Sequence, residues 1–484
     1  MENLLVEPAV VLTSRSSIER QALLNRFLPK IKPNPVLDRN LVSFQANRKV
    51  PYYGWFKYKE GFSANLVESL VRKFGSNKGM LLDPFAGAGT ALFVSRLLGW
   101  DSIGIEVLPV GPYVMEARVA AERIKPKAFR DLLDKLPFKG WAKYYDADFR
   151  FRHIPITEGA FPPKAERAIA GYRSFINGSV RNSSLRLLLD FACFSILETL
   201  SYTRKDGQYL RWDYRAKKER GGSKFDKGQI LDFDAAIGLK LQRMYEDMVG
   251  DTQPRTLFDA ESLPTTPGTM DLRIGSCLNE LLDLESGSVD AVFTSPPYCN
   301  RYDYTRTYAL ELAYLGFDSE AVKHLRQEML SCTVENRSKL DALEASYTQQ
   351  GRRNDFATII QAFERQCSLR EVLDILERLG SDDQLNNANI PRLVKNYFFE
   401  MCFVLYELSR VLRSGGEVVM INDNVRYGGE EVPVDLILAD FAEQFGFRVK
   451  HIWTLARGKG NSSQQMGLHG RSELRKCVYM WEKR

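Results

Sequence analysis

The chain is poor in the residues that build metal centres and disulfide frameworks. Its 484 residues include 7 cysteines and 4 histidines. Cys193, Cys277, Cys299, Cys332, Cys367, Cys402 and Cys477 form no CxxC pair. His153, His324, His451 and His469 stand at no metal-ligand spacing. A zinc ribbon and a disulfide-stapled scaffold are thereby excluded, and a reducing compartment is expected. No apolar run approaches the ~20 residues that a membrane span requires. The opening "MENLLVEPAVVLTSRSS" carries two acids and a proline in its apolar part, which makes a poor signal peptide. The expectation is a cytoplasmic protein with neither membrane nor metal partner. Internal repeats and low-complexity tails are also lacking.

What is present is ordinary globular material. Hydrophobic residues make up 44%, charged residues 26%, and the formal net charge is +6. A mildly basic balance permits a nucleic-acid partner without demanding one. The length admits roughly two to four structural units. Residues 1–50 combine a helical pattern, "SIERQALLNRFL", with the proline-rich "PKIKPNPVL" and read as an N-terminal arm. In "NLVESLVRKFG", Leu66, Leu70, Val71 and Phe74 recur at helical spacing, with Gly75 as the stop. "GMLLDPFAGAGTALFVSRLLGWDSIGIEV" predicts a strand over Met80–Asp83, a glycine-rich turn and a helix from Thr90 to Leu98. A stop at Gly99 and a second strand over Ser102–Glu106 follow. That is a β-α-β unit, the start of an α/β sheet. Sheet patterning lapses over about 115–265, returns at "MDLRIGSCLNELLDLESGSVDAVFTSPPY", and lapses again over the charged, helical 317–390. "YFFEMCFVLYELSRVLRSGGEVVMIND" reads as a long helix, a Gly-Gly turn and a strand. "FRVKHIWTL" and "RKCVYMWEK" read as strands that pair at a sheet edge.

Two short stretches carry chemistry. In "DPFAGAGT", Gly87 and Gly89 let the backbone approach a ligand closely, and the following helix offers free N–H groups. Glu106, after the next strand, stands where an acid hydrogen-bonds a ribose hydroxyl pair. The spacing is neither the dinucleotide fingerprint nor the phosphate loop, so a ligand with a ribose but no phosphate is the simpler reading. The second stretch is Ser295-Pro296-Pro297-Tyr298, at the end of the apolar "SVDAVF". Two prolines fix two φ angles and remove two donors, leaving rigid carbonyl acceptors. The Ser295 side chain and the Pro296 carbonyl can take both hydrogens of an exocyclic amino group and turn its lone pair toward an electrophile. Tyr298 offers a flat face on which a base stacks. Such a base must be single-stranded or extruded from its duplex.

Together these stretches resemble the S-adenosylmethionine-dependent, amino-directed DNA methyltransferases. "DPFAGAGT" is similar to their cofactor motif and "TSPPY" to their catalytic motif. "GFSANLVESLV" resembles the helix that closes over the cofactor's methionine end, and "RSGGEVVMIND" a later core strand. The resemblance covers about half the chain, in pieces. It implies an α/β, Rossmann-like methyltransferase sheet with large, mainly helical insertions. Its catalytic parts would be 51–115, 266–316 and 391–484, with a target-recognition insertion at 116–265 and a helical one at 317–390. The cofactor would be S-adenosylmethionine, lined by Asp83, Pro84, Phe85, Gly87, Gly89 and Thr90, with Glu106 on the ribose. Phe62 and Ser63 would touch its amino-acid end. The family often has Gly-Asp where this chain has Gly275-Ser276, so Ser276 or the Cys277 backbone would meet the adenine. Ser295, Pro296, Pro297 and Tyr298 would hold the target base. Serine at the first of these positions is typical of the cytosine-N4 type. Double-stranded DNA is the implied partner, with a cognate restriction endonuclease beside it. Cys299 reads as a bystander, because no Pro-Cys pair of the cytosine-C5 kind occurs in the chain.

DNA must also be gripped. "TRKDGQYLRWDYRAKKERGGSKFDKGQ" interleaves nine basic residues with four aromatics, and Arg211, Trp212, Arg215, Lys217 and Lys218 are its candidate contacts. Arg301, Tyr304 and Arg306 follow the catalytic turn and could line the base pocket or the DNA backbone, or simply begin a packed helix. Adenine-N6 methylation, RNA base methylation and a non-catalytic sensor of nucleic acid or cofactor stay open on the sequence. The 317–390 insertion reads equally as recognition surface, dimer face or lid, and the oligomeric state is open.

Overall fold

The computed structural model describes residues 17–74, 78–137, 139–206, 209–216, 224–250, 266–455 and 474–484. Its strands, in chain order, are β1 (Ile31–Pro33), β2 (Met80–Asp83), β3 (Asp101–Glu106), β4 (Thr203–Asp206), β5 (Tyr209–Trp212) and β6 (Met270–Ile274). They continue with β7 (Val289–Thr294), β8 (Leu412–Asp423), β9 (Val425–Tyr427), β10 (Glu430–Val432), β11 (Phe447–Thr454) and β12 (Lys476–Lys483). The chain divides into two compact units. One comprises Asp38–Pro297 and Arg301–Leu330, the other Met1–Leu37, Tyr298–Asn300 and Ser331–Arg484.

The first unit holds the parallel strands β7, β2, β3 and β6, adjacent in that order. The β2–helix–β3 segment is the predicted β-α-β unit, with its helix at Thr90–Leu97. Leu81, Leu82, Ala291, Val292 and Phe293 are buried, as parallel strands covered on both faces require. The helix Ala64–Val71 packs against the helix Thr90–Leu97 and ends before Gly75, which lies outside the described residues. The stretch after residue 115 folds as helices, among them Pro163–Ser179, Ser183–Ser195 and Phe233–Gly250. Their apolar faces share one core with Trp55, Phe56, Tyr58, Tyr308 and Leu312. The basic stretch opens with the antiparallel strand pair β4–β5.

In the second unit β1, β11, β12 and β8 are adjacent in that order. β1 runs parallel to β11, and the other two pairings are antiparallel. Thus β12 lies inside the sheet rather than at its edge. The continuous burial of Cys477, Val478, Tyr479, Met480 and Trp481 accounts for that place. The expected Gly-Gly turn is absorbed into β8, where Gly415 takes φ +78° just before pairing with β12 begins at Glu417. The charged 317–390 stretch is helical, with Leu340–Gln349, Arg353–Arg365 and Cys367–Ser381 in this unit. The helix Ile18–Phe27 is fastened here through buried Arg20, which bonds Glu371 at 2.7 Å and Glu430 at 3.2 Å. Among the described residues, no helix is long and apolar enough to cross a membrane, and no His, Cys, Asp and Glu side chains group as a metal site. The α/β architecture is the Rossmann-like one that the resemblance implied.

Candidate active site at the carboxyl ends of the parallel strands

β2 lies between β3 and β7: the chain steps from β2 to β3, with β6 beyond it, and returns to β7 on the other side of β2. Ligands of open α/β sheets bind in the crevice beyond the carboxyl ends at such a point. The register Leu81↔Ala291 and Leu82↔Val292 brings Asp83 and Thr294 out side by side. Thr294 Oγ1 donates to Asp83 Oδ1 at 2.6 Å, and the Phe85 amide donates to the same oxygen at 3.1 Å. Asp83 Oδ2 is buried and has no hydrogen-bond partner among the described residues. Burial pushes the Asp83 carboxyl up to about 7, against the pull of those two hydrogen bonds. A buried acid with one oxygen unsatisfied fits a cationic or N–H ligand.

Glu106 ends β3 in a comparable setting. Its carboxylate accepts from the Gly87 amide at 2.6 Å and the Leu108 amide at 2.7 Å. Burial, partly offset by these bonds, raises it to about 7 as well. Each oxygen keeps a second acceptor site, so a hydroxyl pair remains an admissible partner. The loop between the two acids needs its glycines. Gly87 and Gly89 have φ +55° and +76°, and a Cβ on Gly89 would lie 2.5 Å from Met115 Sδ. Pro84 is buried, Phe85 half-buried, and Thr90 opens the helix that follows. β6 completes the row: Ile274 pairs with Glu106, so half-buried Ser276 and buried Cys277 begin just past the same edge. Asp83, Gly87, Glu106, Ser276 and Ser295 therefore stand at the carboxyl ends of four adjacent strands.

Phe62 packs edge-on against Phe293 of β7, with ring centroids 5.0 Å apart. Asn47 fixes this segment by donating to the Phe62 carbonyl and accepting from the Ala64 amide, both at 2.9 Å. Ser63 is fully buried, and its hydroxyl caps the helix Ala64–Val71 through the Leu66 amide at 3.2 Å. After Thr294 come half-buried Ser295, buried Pro296 and half-buried Pro297. The boundary between the units falls directly after Pro297, so Tyr298 belongs to the other unit. There the Cys299 carbonyl accepts from Tyr427 Oη at 2.6 Å, and burial pushes the Cys299 thiol well up. A thiol so held is a poor nucleophile.

Several residues escaped the sequence reading. Thr294 is one; its polar side chain ends a buried strand because it serves Asp83. Tyr58 is another. A Cβ on Gly87 would lie 2.9 Å from Tyr58 Cε1, so this ring covers the glycine turn. Tyr58 stacks on Tyr308 with centroids 5.3 Å apart. Glu60 accepts from Tyr308 Oη at 2.5 Å and from Tyr302 Oη. The aromatic density of "PYYGWFKYKE" and "NRYDYTRTY" was visible, but which ring meets Gly87 is a tertiary fact.

The candidate DNA contacts disperse. Arg215 is drawn to Asp213 (2.6 and 2.8 Å) and the Gly228 carbonyl (2.6 Å), and half-buried Trp212 packs on the helical core. Arg306 pairs with Asp303 at 3.1 Å, and the Tyr304 ring lies 4.8 Å from that of Tyr302. Arg301 takes a left-handed backbone at φ +64°. Arg211 is half-buried, its guanidinium 4.2 Å from the centre of the Phe225 ring. Lys217 and Lys218 lie outside the described residues.

No family model matches the chain. Whole relatives do. It is 45% identical over 465 residues to the Type II methyltransferase M.AvaI of a Nostoc species, covering 96% of this chain and 93% of that protein. The M.AvaI protein of Anabaena variabilis matches equally. The Type II methyltransferase M.BsoBI of Geobacillus stearothermophilus is 39% identical over 484 residues, covering 96% and 92% of the two chains. With near full-length identity at this level, the chain belongs to the Type II methyltransferase family of DNA-modifying enzymes.

Proposed function

We propose that the protein transfers a methyl group from S-adenosylmethionine to the exocyclic N4 amino group of a flipped-out cytosine in double-stranded DNA. The observation that carries this reading is the Thr294–Asp83 bond. It joins the glycine turn to the strand that leads into Ser295-Pro296-Pro297, within one unit. The cofactor supplies an activated methyl on a sulfonium. Asp83, with its unsatisfied oxygen, would hold the ammonium end, and Glu106 the ribose hydroxyls. Phe62, Ser276 and the Cys277 backbone would complete the pocket, and Tyr58 would roof the turn. Ser295 Oγ and the Pro296 carbonyl would accept the two amino hydrogens. With both hydrogens held, the nitrogen lone pair points out of the ring plane, ready for in-line attack. Positioning of this kind supplies most of the acceleration in such a displacement.

The serine that opens the catalytic tetrapeptide supports cytosine over adenine. That the relatives are named Type II methyltransferases supports pairing with a cognate restriction endonuclease, in a system that marks and protects its own DNA. Incubation with tritiated S-adenosylmethionine tests the substrate class. Label is expected on duplex DNA containing the target site and not on total RNA. Label on RNA alone would overturn the reading.

A further inference from the structure

The segment Phe56–Phe62 passes over the glycine turn, and Tyr58 is the residue that meets it. A Cβ on Gly87 would lie 2.9 Å from Tyr58 Cε1, so the ring leaves no room there. Burial first, then the charges of Glu106, Glu60 and Asp83, push the Tyr58 hydroxyl well up. That hydroxyl therefore stays protonated, within electrostatic reach of both acids of the cofactor site. The strap is fastened at its two ends. Phe56 stacks on Phe194 with centroids 5.2 Å apart, and Phe62 meets Phe293 of β7.

Between those ends, one side chain holds three consecutive residues of the strap. Tyr308 is fully buried. Its ring stacks on that of Tyr58 at 5.3 Å, with 20° between the planes. Its hydroxyl accepts from the Lys59 amide at 3.0 Å and donates to Glu60 at 2.5 Å. The other Glu60 oxygen accepts from the Tyr302 hydroxyl. Burial and the Glu60 charge push the Tyr308 hydroxyl well up, so it donates rather than ionises. The ring is held by a cation as well. Lys205 Nζ lies 4.5 Å from the Tyr308 centroid and 4.6 Å from that of Phe56. Lys205 in turn pairs with Glu311 at 2.7 Å, both side chains about 2% exposed. A buried phenol needs one hydrogen-bond partner. This one spends both its donor and its acceptor on the strap that covers Gly87.

We infer that Tyr308 is a positioning residue for cofactor binding: it holds Tyr58, Lys59 and Glu60 down on the glycine turn, so that Tyr58 presents a preformed wall to S-adenosylmethionine. A wall already in place spares the cofactor the cost of ordering it, and that saving shows as affinity. The chemical step gains nothing further once the cofactor is bound, because Tyr308 acts on the cover and not on the reacting atoms. The inference rests on the methyltransferase reading and deepens it by naming what keeps the cofactor pocket formed.

The test uses the full chain and Tyr308→Phe, which keeps the ring, its stack on Tyr58 and its contact with Lys205. Only the hydroxyl is lost. Lys59 and Glu60 are half-buried and can turn to water, so melting should fall by no more than a few degrees. Calorimetry with S-adenosylmethionine alone is expected to show about tenfold weaker binding, because the competent pocket no longer dominates. KM for the cofactor should rise in step, while kcat at saturating cofactor falls by less than about twofold. Glu60→Ala breaks the same linkage and should weaken binding at least as far. The double variant should bind no more weakly than Glu60→Ala alone. Glu60→Gln keeps an oxygen for one hydroxyl and is expected to recover most of the affinity. Wild-type affinity in Tyr308→Phe would overturn the inference. So would losses that add in the double variant, or a kcat that falls as far as kcat/KM. Failure of the wild-type protein to bind S-adenosylmethionine would instead strike the methyltransferase reading itself.

Discussion

Ser295→Ala is expected to lower kcat by about 100-fold while leaving the dissociation constant of S-adenosylmethionine within about twofold. The substitution removes one of two acceptors for the amino hydrogens and leaves the other, the Pro296 carbonyl, in place. The lone pair then loses its fixed direction, and the misalignment costs rate rather than cofactor affinity. The backbone should be undisturbed, because Pro296 and Pro297 fix the turn on their own. Single-turnover kinetics with saturating DNA, alongside calorimetry with cofactor alone, separate the two effects. Near-normal turnover, or a cofactor affinity that falls in step with turnover, would refute the assigned role.

The second large effect concerns Asp83 and pH. Its carboxyl, pushed up to about 7 by burial, is largely ionised only above neutrality. Ionised Asp83 is the form that pairs with a cationic ligand, so wild-type cofactor affinity should rise between about pH 6 and 8, with proton release on binding. Calorimetry in two buffers of different ionisation enthalpy measures that proton directly. Asp83→Asn keeps Oδ1 as the acceptor for Thr294 and Phe85 but removes the charge. Its cofactor affinity should fall about 10- to 100-fold, the worth of one charge-assisted hydrogen bond. Its pH dependence should also flatten, leaving only what Glu106 contributes. Stability should move the other way. A carboxyl whose pKa is raised on folding contributes most below its ordinary value of 3.8, and that contribution is lost as pH rises through about 7. At pH 8 the ligand-free asparagine variant should therefore melt no lower than wild type. A variant that binds cofactor normally, or that melts several degrees lower, would contradict this account.

How much of this could be read from the chain depends on how local each cause is. Met80–Asp83 was legible because an apolar run meets Asp-Pro and a glycine turn within a few residues. The helix after Gly89 and the strand ending at Glu106 were legible for the same reason. The place of β12 was not, since one strand's apolar run cannot say how many neighbours it has. The Gly-Gly pair misled because glycine also tolerates the positive φ that β8 needs at Gly415.

At the site, Ser295 and the glycines announce themselves, but their meeting depends on Thr294 reaching Asp83 across 211 positions. Nor could periodicity show that Tyr58 roofs Gly87, or that Arg215 is committed to Asp213. The region after residue 115 was expected to be mainly helical, but the way its amphipathic, aromatic-rich helices pack together was not legible. Their cores form only when the helices meet.

Methyl transfer to an amino nitrogen is tested most directly by the identity of the product. DNA methylated by the purified enzyme with labelled cofactor is digested to nucleosides, and the label is located by chromatography and mass spectrometry. The account predicts N4-methyldeoxycytidine. Label on N6-methyldeoxyadenosine would refute the cytosine assignment, and label on the C5 carbon of cytosine would contradict the paired-acceptor chemistry altogether.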